Sequence, residues 1–169
     1  MHCLAWLAAH QGDTAAARAL CEECLAEPRN AGRNSAYALM TLGELAYLEG
    51  DTTAAQEYHT RSLSLFQEDQ GHRDIAIWLG VIAGRRNAQG QPEQAARLFG
   101  AAEALREAHH AALTGVYRAK HECDVSAART ALGEEVFAAA WAAGRQMSLE
   151  GAVACALQEA SSEAERDSR

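Results

Sequence analysis

The sequence predicts an all-α chain, and composition and punctuation both point that way. Alanine fills 39 of the 169 positions, whereas Val and Ile together fill eight and Pro two. That composition favours helix and leaves little material for strands. The punctuation is a set of isolated glycines that divide apolar helical segments of similar length, Gly12, Gly50 and Gly90 being 38 and 40 residues apart.

Around those glycines three segments superpose: LAWLAAHQGDTAAARALCEECL, LGELAYLEGDTTAAQEYHTRSL and IAGRRNAQGQPEQAARLFGAAE. Each reads as helix, tight turn, helix. A glycine closes the first helix, and Asp13, Asp51 or Gln91 stands where it can cap the second, with Pro92 at a tolerated first-turn position. Leu4, Leu42 and Ile82 occupy equivalent places, each followed by a small residue, Ala5, Gly43 or Ala83. In the second helices Ala17, Ala55 and Ala95 align. Small residues recurring at matched positions mark places where two helices approach closely, so each segment is expected to fold as a helical hairpin.

Beyond Leu105 the pattern stops and three more helices are expected: about Thr114 to Leu132 ended by Gly133, Glu134 to Ala143 ended by Gly144, and Leu149 to Ala160 with Ser148 as N-cap. The organisation read from the sequence is three hairpins over residues 1–110, capping helices over 111–160 and a polar, disordered tail over 161–169. The first hairpin begins almost at Met1 with a shortened first helix, so the chain is expected to be a piece of something longer.

The hairpin pattern resembles the tetratricopeptide repeat, here lengthened in the linkers PRNAGRN and EDQGHRD. The resemblance covers roughly residues 1–110 and implies an α-solenoid with a C-terminal helical cap. The runs QPEQAARLFGAAEALREA and ARTALGEEVFAAAWAAGRQMSLEGAVACAL resemble the end of the helical-repeat region of large bacterial signal-transduction ATPase (LuxR-type) transcriptional regulators. That second resemblance implies a non-catalytic sensor or interaction segment, cytoplasmic, working on a protein segment or a small-molecule inducer. The chain carries no G-x-x-x-x-G-K-[ST] loop.

Charge excludes one class directly. Fifteen Lys+Arg against 23 Asp+Glu give −8, and no basic run exceeds Arg85-Arg86. A nucleic-acid interface needs a clustered basic face, so direct contact with nucleic acid is not expected. The apolar stretch Cys3 to Ala9 is too short to span a bilayer, so no membrane role is expected either. The five cysteines have no framework-like spacing, which fits a reducing compartment.

No set of residues announces a reaction. Cys21 and Cys24 lie one helical turn apart, half a zinc site by spacing. Yet they align with His59 and Phe99, and with Ser62 and Ala102, positions that face the partner helix. His109, His110, His121 and Cys123 carry ligand chemistry without convergent spacing, and His121 is expected on a solvated face. No catalytic residue, metal ligand or cofactor is therefore assigned; the alternative reading is a small metal- or thiol-dependent helical enzyme or redox sensor. Trp78 and Trp141 read as core anchors.

The first helices of the hairpins carry a stripe with 3–4 spacing: Cys3, Trp6, His10; Tyr37, Thr41, Glu44, Leu48; and Ile77, Val81, Gly84, Ala88. The candidate binding residues are Trp6, Tyr37, Thr41, Glu44 and Tyr47, with Arg85 and Arg86 at the far end or on the adjacent ridge. Those arginines stand where the earlier hairpins have Leu7-Ala8 and Leu45-Ala46. Burying unpaired guanidinium groups costs several kcal/mol, so they are expected to be exposed to an anionic partner or paired with Glu103 or Glu107. The apolar face formed by Met1, Leu4, Leu7 and Ala8 is expected to support a homodimer.

Overall fold

The computed structural model describes residues 2–27, 29, 31–113 and 115–157, with the backbone alone for His2, Cys3, His10 and Val116. Nine helices and no strand occur among the described residues: α1 His2–His10, α2 Thr14–Ala26, α3 Arg33–Leu48, α4 Thr52–Glu68, α5 His72–Ala88, α6 Pro92–Ala108, α7 Gly115–Leu132, α8 Glu134–Arg145 and α9 Leu149–Leu157. The chain is an all-α helical repeat protein. Helices α1–α4 form one compact unit and α5–α9 another. Thr114, residues 158–160 of the expected last helix and the tail 161–169 lie outside the described residues.

The hairpin turns follow the sequence pattern bond by bond. Gly12, Gly50 and Gly90 take φ of +83°, +84° and +77°, the left-handed conformation that ends a helix without a Cβ penalty. The amides that follow reach back across each turn: Asp13 to the Ala8 carbonyl at 3.0 Å, Asp51 to Ala46 at 2.9 Å and Gln91 to Arg86 at 2.9 Å. Asp13 and Asp51 then cap the next helices, their carboxylates accepting from the Ala16 and Ala54 amides at 3.0 and 2.9 Å. Gln91 holds the same place at the head of α6 without a side-chain cap bond.

In the first unit, the two hairpins are joined by a small-residue core. Ala5 and Ala17, Cys21 and Cys24 from α1 and α2 cluster with Ala38, Leu42 and Leu45 of α3. The matched small positions Ala5, Ala17 and Ala55 are buried, as is Gly43. Gly43 has a specific reason to lack a side chain. A Cβ there would meet the His59 ring of α4 at 2.7 Å. Ser62 ties α4 to α3 by donating to the Ala36 carbonyl at 2.8 Å.

The second unit wraps its hairpin. Helix α5 buries Ile75, Ala76, Ile77, Trp78 and Leu79 in an unbroken run, the pattern of a helix covered on several sides. Its neighbours are α6, α7 and α9, while α8 packs on α6 and α7. Helices α6 and α8 meet at two glycines: a Cβ on Gly100 would sit 2.2 Å from the Trp141 carbonyl oxygen, and one on Gly144 would sit 1.9 Å from that of Arg97. This corrects the expectation that Gly144 ends the helix. It is buried inside α8, which continues to Arg145, because the backbone of α6 occupies the space a side chain would need. Trp78 is fully buried, whereas Trp141 is half-buried with its ring 5.4 Å from that of Phe137.

Candidate interaction surface

On α3 the stripe is graded in exposure. Tyr37 and Thr41 are buried: the tyrosine ring meets Phe66 edge-on at 5.0 Å, and the Thr41 hydroxyl donates to the Tyr37 carbonyl at 3.1 Å. Glu44, one turn on, is half-buried, Tyr47 likewise, and Leu48 is exposed. On the neighbouring helix α1, Trp6 occupies the position equivalent to Glu44 and is also half-buried. Trp6, Glu44 and Tyr47 thus offer side-chain surface, while Tyr37 and Thr41 support them from within.

The residue that the sequence reading missed is His59. Buried on α4, it places Nε2 3.2 Å from Glu44 Oε1. A carboxylate only accepts, so Nε2 carries the hydrogen and fixes the carboxyl group. The signal was present in outline, since His59 aligns with Cys21 and Phe99 at a position facing the partner helix, next to a glycine on that helix.

Arg85 and Arg86 lie in the second unit and depart from expectation. Arg85 is half-buried and Arg86 is buried. The Arg86 guanidinium donates to Gln94 and to the last carbonyls of α9, Cys155 at 2.8 Å and Ala156 at 3.3 Å. It therefore pairs with a helix C-terminus, where a cation is favoured, rather than with Glu103 or Glu107. Those acids are engaged elsewhere, Glu103 with Arg106 and Glu107 with Arg145. The inner stripe of α5 is also covered: Gly84 lies under Asp124 and Lys120 of α7, and Gly80 under His121.

His121 is a second correction. It is not on a solvated face but packed edge-on to Phe99 with ring centroids 5.2 Å apart, its Nε2 3.2 Å from Arg106 Nη2. Burial and the Arg106 charge push its pKa down to about 4, against weaker opposing effects of Glu103, Asp124 and Glu122. At the end of α6, His109 stacks on His72 with ring centroids 3.8 Å apart.

Two of the thiols are placed as packing residues. Cys21 and Cys24 are buried, and Cys24 Sγ lies 3.7 Å from the Asn34 carbonyl. Burial pushes the Cys21 thiol up to about 11 and raises Cys24 as well, opposite to what nucleophilic or metal-binding thiolates need. Among the described residues no three His, Cys, Asp or Glu side chains converge as a metal site, and no helix is long and apolar enough to cross a membrane.

Comparison with known proteins agrees with this architecture. The tetratricopeptide repeat family model matches residues 34–108. The chain is 29% identical over 153 residues, 90% of its length, to proteins named as candidate HTH-type transcriptional regulators in Mycobacterium tuberculosis (strain H37Rv) and Mycobacterium bovis. It spans 17% of the length of these relatives. No solved structure matches the chain. The chain is thus an all-α helical repeat protein that matches the tetratricopeptide repeat over residues 34–108 and is similar to one part of proteins named as transcriptional regulators.

Proposed function

We propose that the chain is a non-catalytic, cytoplasmic interaction segment of a bacterial transcriptional regulator, and that its first unit binds a protein segment through Trp6, Glu44 and Tyr47. The observation that carries this reading is the His59-held Glu44 carboxylate on α3, with half-buried aromatics at Tyr47, three residues on, and at Trp6, the equivalent position of α1. Aromatic anchors beside a fixed polar group are the usual composition of an interface centre. Tyr37 and Thr41 serve as the support beneath. Arg86 holds α9, and Arg85 remains a candidate contact of the second unit alone. Neither unit touches nucleic acid in this proposal, since the chain carries a net charge of −8 and no basic run longer than Arg85-Arg86.

Self-association through the first hairpin belongs to the same proposal. Leu4 is 58% and Leu7 42% exposed, whereas their counterparts Leu42 and Leu45 are 2% and 0% exposed, packed against the hairpin before them. A second copy can cover the α1 face as α1 and α2 cover α3.

The test is a photo-crosslinking amino acid at Tyr47, compared in cells with the same residue at Glu57 on the exposed side of α4. Discrete protein adducts from position 47 that disappear with Glu44→Lys support the reading. Equal labelling from both positions, or adducts indifferent to Glu44→Lys, overturns it.

A further inference from the structure

Helix α7 is held on the α5–α6 hairpin by an imidazole in a defined protonation state. His121 sits among Phe99, Arg106 and Gly80, with Nδ1 3.6 Å from where a Gly80 Cβ would lie. Arg106 is itself buried and ion-paired with Glu103. A guanidinium group only donates, so at 3.2 Å His121 Nε2 must be the acceptor and the ring's hydrogen lies on Nδ1. The docked ring is therefore neutral. Adding a proton to Nε2 removes the acceptor and sets an imidazolium against a guanidinium in a half-buried site.

The surrounding charges do not relieve that conflict. Arg106 and Glu103 face the ring from α6, and Asp124 and Glu122 act on it from α7 itself. Glu103 is engaged by Arg106, Asp124 by Lys120 and Glu122 by Arg118. Helix α5 presents Gly80. We propose that His121 is an acid-sensitive latch whose protonation releases α7 from the α5–α6 hairpin, exposing Phe99 and the glycine stripe Gly80–Gly84. The folded ring resists protonation to about pH 4, whereas a released histidine accepts a proton near pH 6.5. Between those values each unit of acidification favours release by up to tenfold.

Hydrogen exchange read by mass spectrometry on the full chain at pH 7 and pH 5, corrected for intrinsic rates, tests the latch. Peptides from α7 are expected to lose at least tenfold protection at pH 5, while those from α1–α4 keep theirs. In His121→Gln, whose amide oxygen still accepts from Arg106 and does not titrate, α7 is expected to stay protected at both values. Unchanged α7 protection in the wild type, an equal loss in His121→Gln, or a loss spread evenly over all helices overturns the proposal. Should His121→Gln not fold, NMR titration of wild-type His121 decides alone. A midpoint well below 6.5 that coincides with α7 opening supports the latch, and a midpoint at or above 6.5 overturns it.

Discussion

The α3–α4 and α5–α6 hairpins share one pattern and seal it differently. In the first, Gly43 makes room for a side chain, the His59 ring, which in turn holds Glu44. In the second, Gly100 makes room for backbone, the Trp141 carbonyl of α8, and Gly144 answers with the Arg97 carbonyl. A ring can swing aside and a helix backbone cannot. A glycine at a helix contact is therefore tolerant in one unit and stringent in the other.

The largest expected effect follows from that contrast. Gly144→Ala should destabilise by about 3 kcal/mol or more, since its methyl group would overlap a carbonyl and force α6 and α8 apart. Gly43→Ala should cost about 1–2 kcal/mol, absorbed by movement of His59, and Gly43→Leu considerably more. Denaturant titration of the three variants ranks them. Equal costs for the two alanine variants would show that the two contacts are equally rigid.

Arg86 sharpens the comparison from the other side. The residue at the equivalent position of α3 is Ala46, so Arg86→Ala restores the repeat pattern. It nevertheless strips α9 of the donor to its final carbonyls. A loss of about 2–3 kcal/mol is expected, because hydrogen bonds to a charged group are the stronger kind and their buried acceptors would be left unpaired. Protection of α9 in hydrogen exchange should fall first. A variant as stable as the wild type would mean that α9 docks without the arginine.

The pH dependence of the second unit has a definite sign. His121 has a depressed pKa when folded, about 4, so the unfolded chain binds more protons between pH 4 and 6.5. Its contribution to stability is complete above pH 6.5 and is lost as pH falls toward 4. The limit is about 3 kcal/mol by linkage, reduced because the ring is partly solvated. A melting temperature that falls over this range in the wild type and stays flatter in His121→Gln is the expected outcome.

How much of this was legible in the sequence depended on whether the deciding partner was local. The turns at Gly12, Gly50 and Gly90, the caps at Asp13 and Asp51 and the inward-facing Cys21 and Cys24 follow from spacing within one hairpin, and all appear in the structure. Arg86, His121 and Gly144 were misread because their partners lie on α9, α6 and α6, brought near by packing that periodicity does not encode. The candidate surface was read in part for the same reason. Its positions on α3 were legible, but Tyr37 and Thr41 are withdrawn into the core by Phe66 and the helix backbone.

The exposed α1 face sets the first hairpin apart from the second. Leu7→Glu should leave folding stability within about 0.5 kcal/mol, as a surface change does. It should weaken any dimer about tenfold or more, about 1.4 kcal/mol of association. Sedimentation velocity across a hundredfold concentration range reads this. A wild type that sediments as a concentration-independent monomer ends the self-association proposal.

The smallest expected effect is a gain, and it tests the repeat comparison at a single atom. The first two hairpins cap their second helix with Asp13 and Asp51, and the third has Gln91 in that place. The glutamine side chain is one methylene longer, makes no cap bond, and leaves its Oε1 buried without a hydrogen-bond partner. Its backbone already follows the shared turn, with the Gln91 amide donating to Arg86 and its carbonyl accepting from Ala95. Gln91→Asp should therefore place a carboxylate on the free amides at the head of α6, where the helix dipole also favours negative charge. It removes a buried unsatisfied acceptor at the same time. A stabilisation of about 0.5–1 kcal/mol is expected, read as a higher denaturation midpoint at unchanged m-value. No gain, or a loss, would mean that Pro92 at the first helical position holds the turn in a geometry the shorter side chain cannot use, and that the third hairpin is closed by its proline alone.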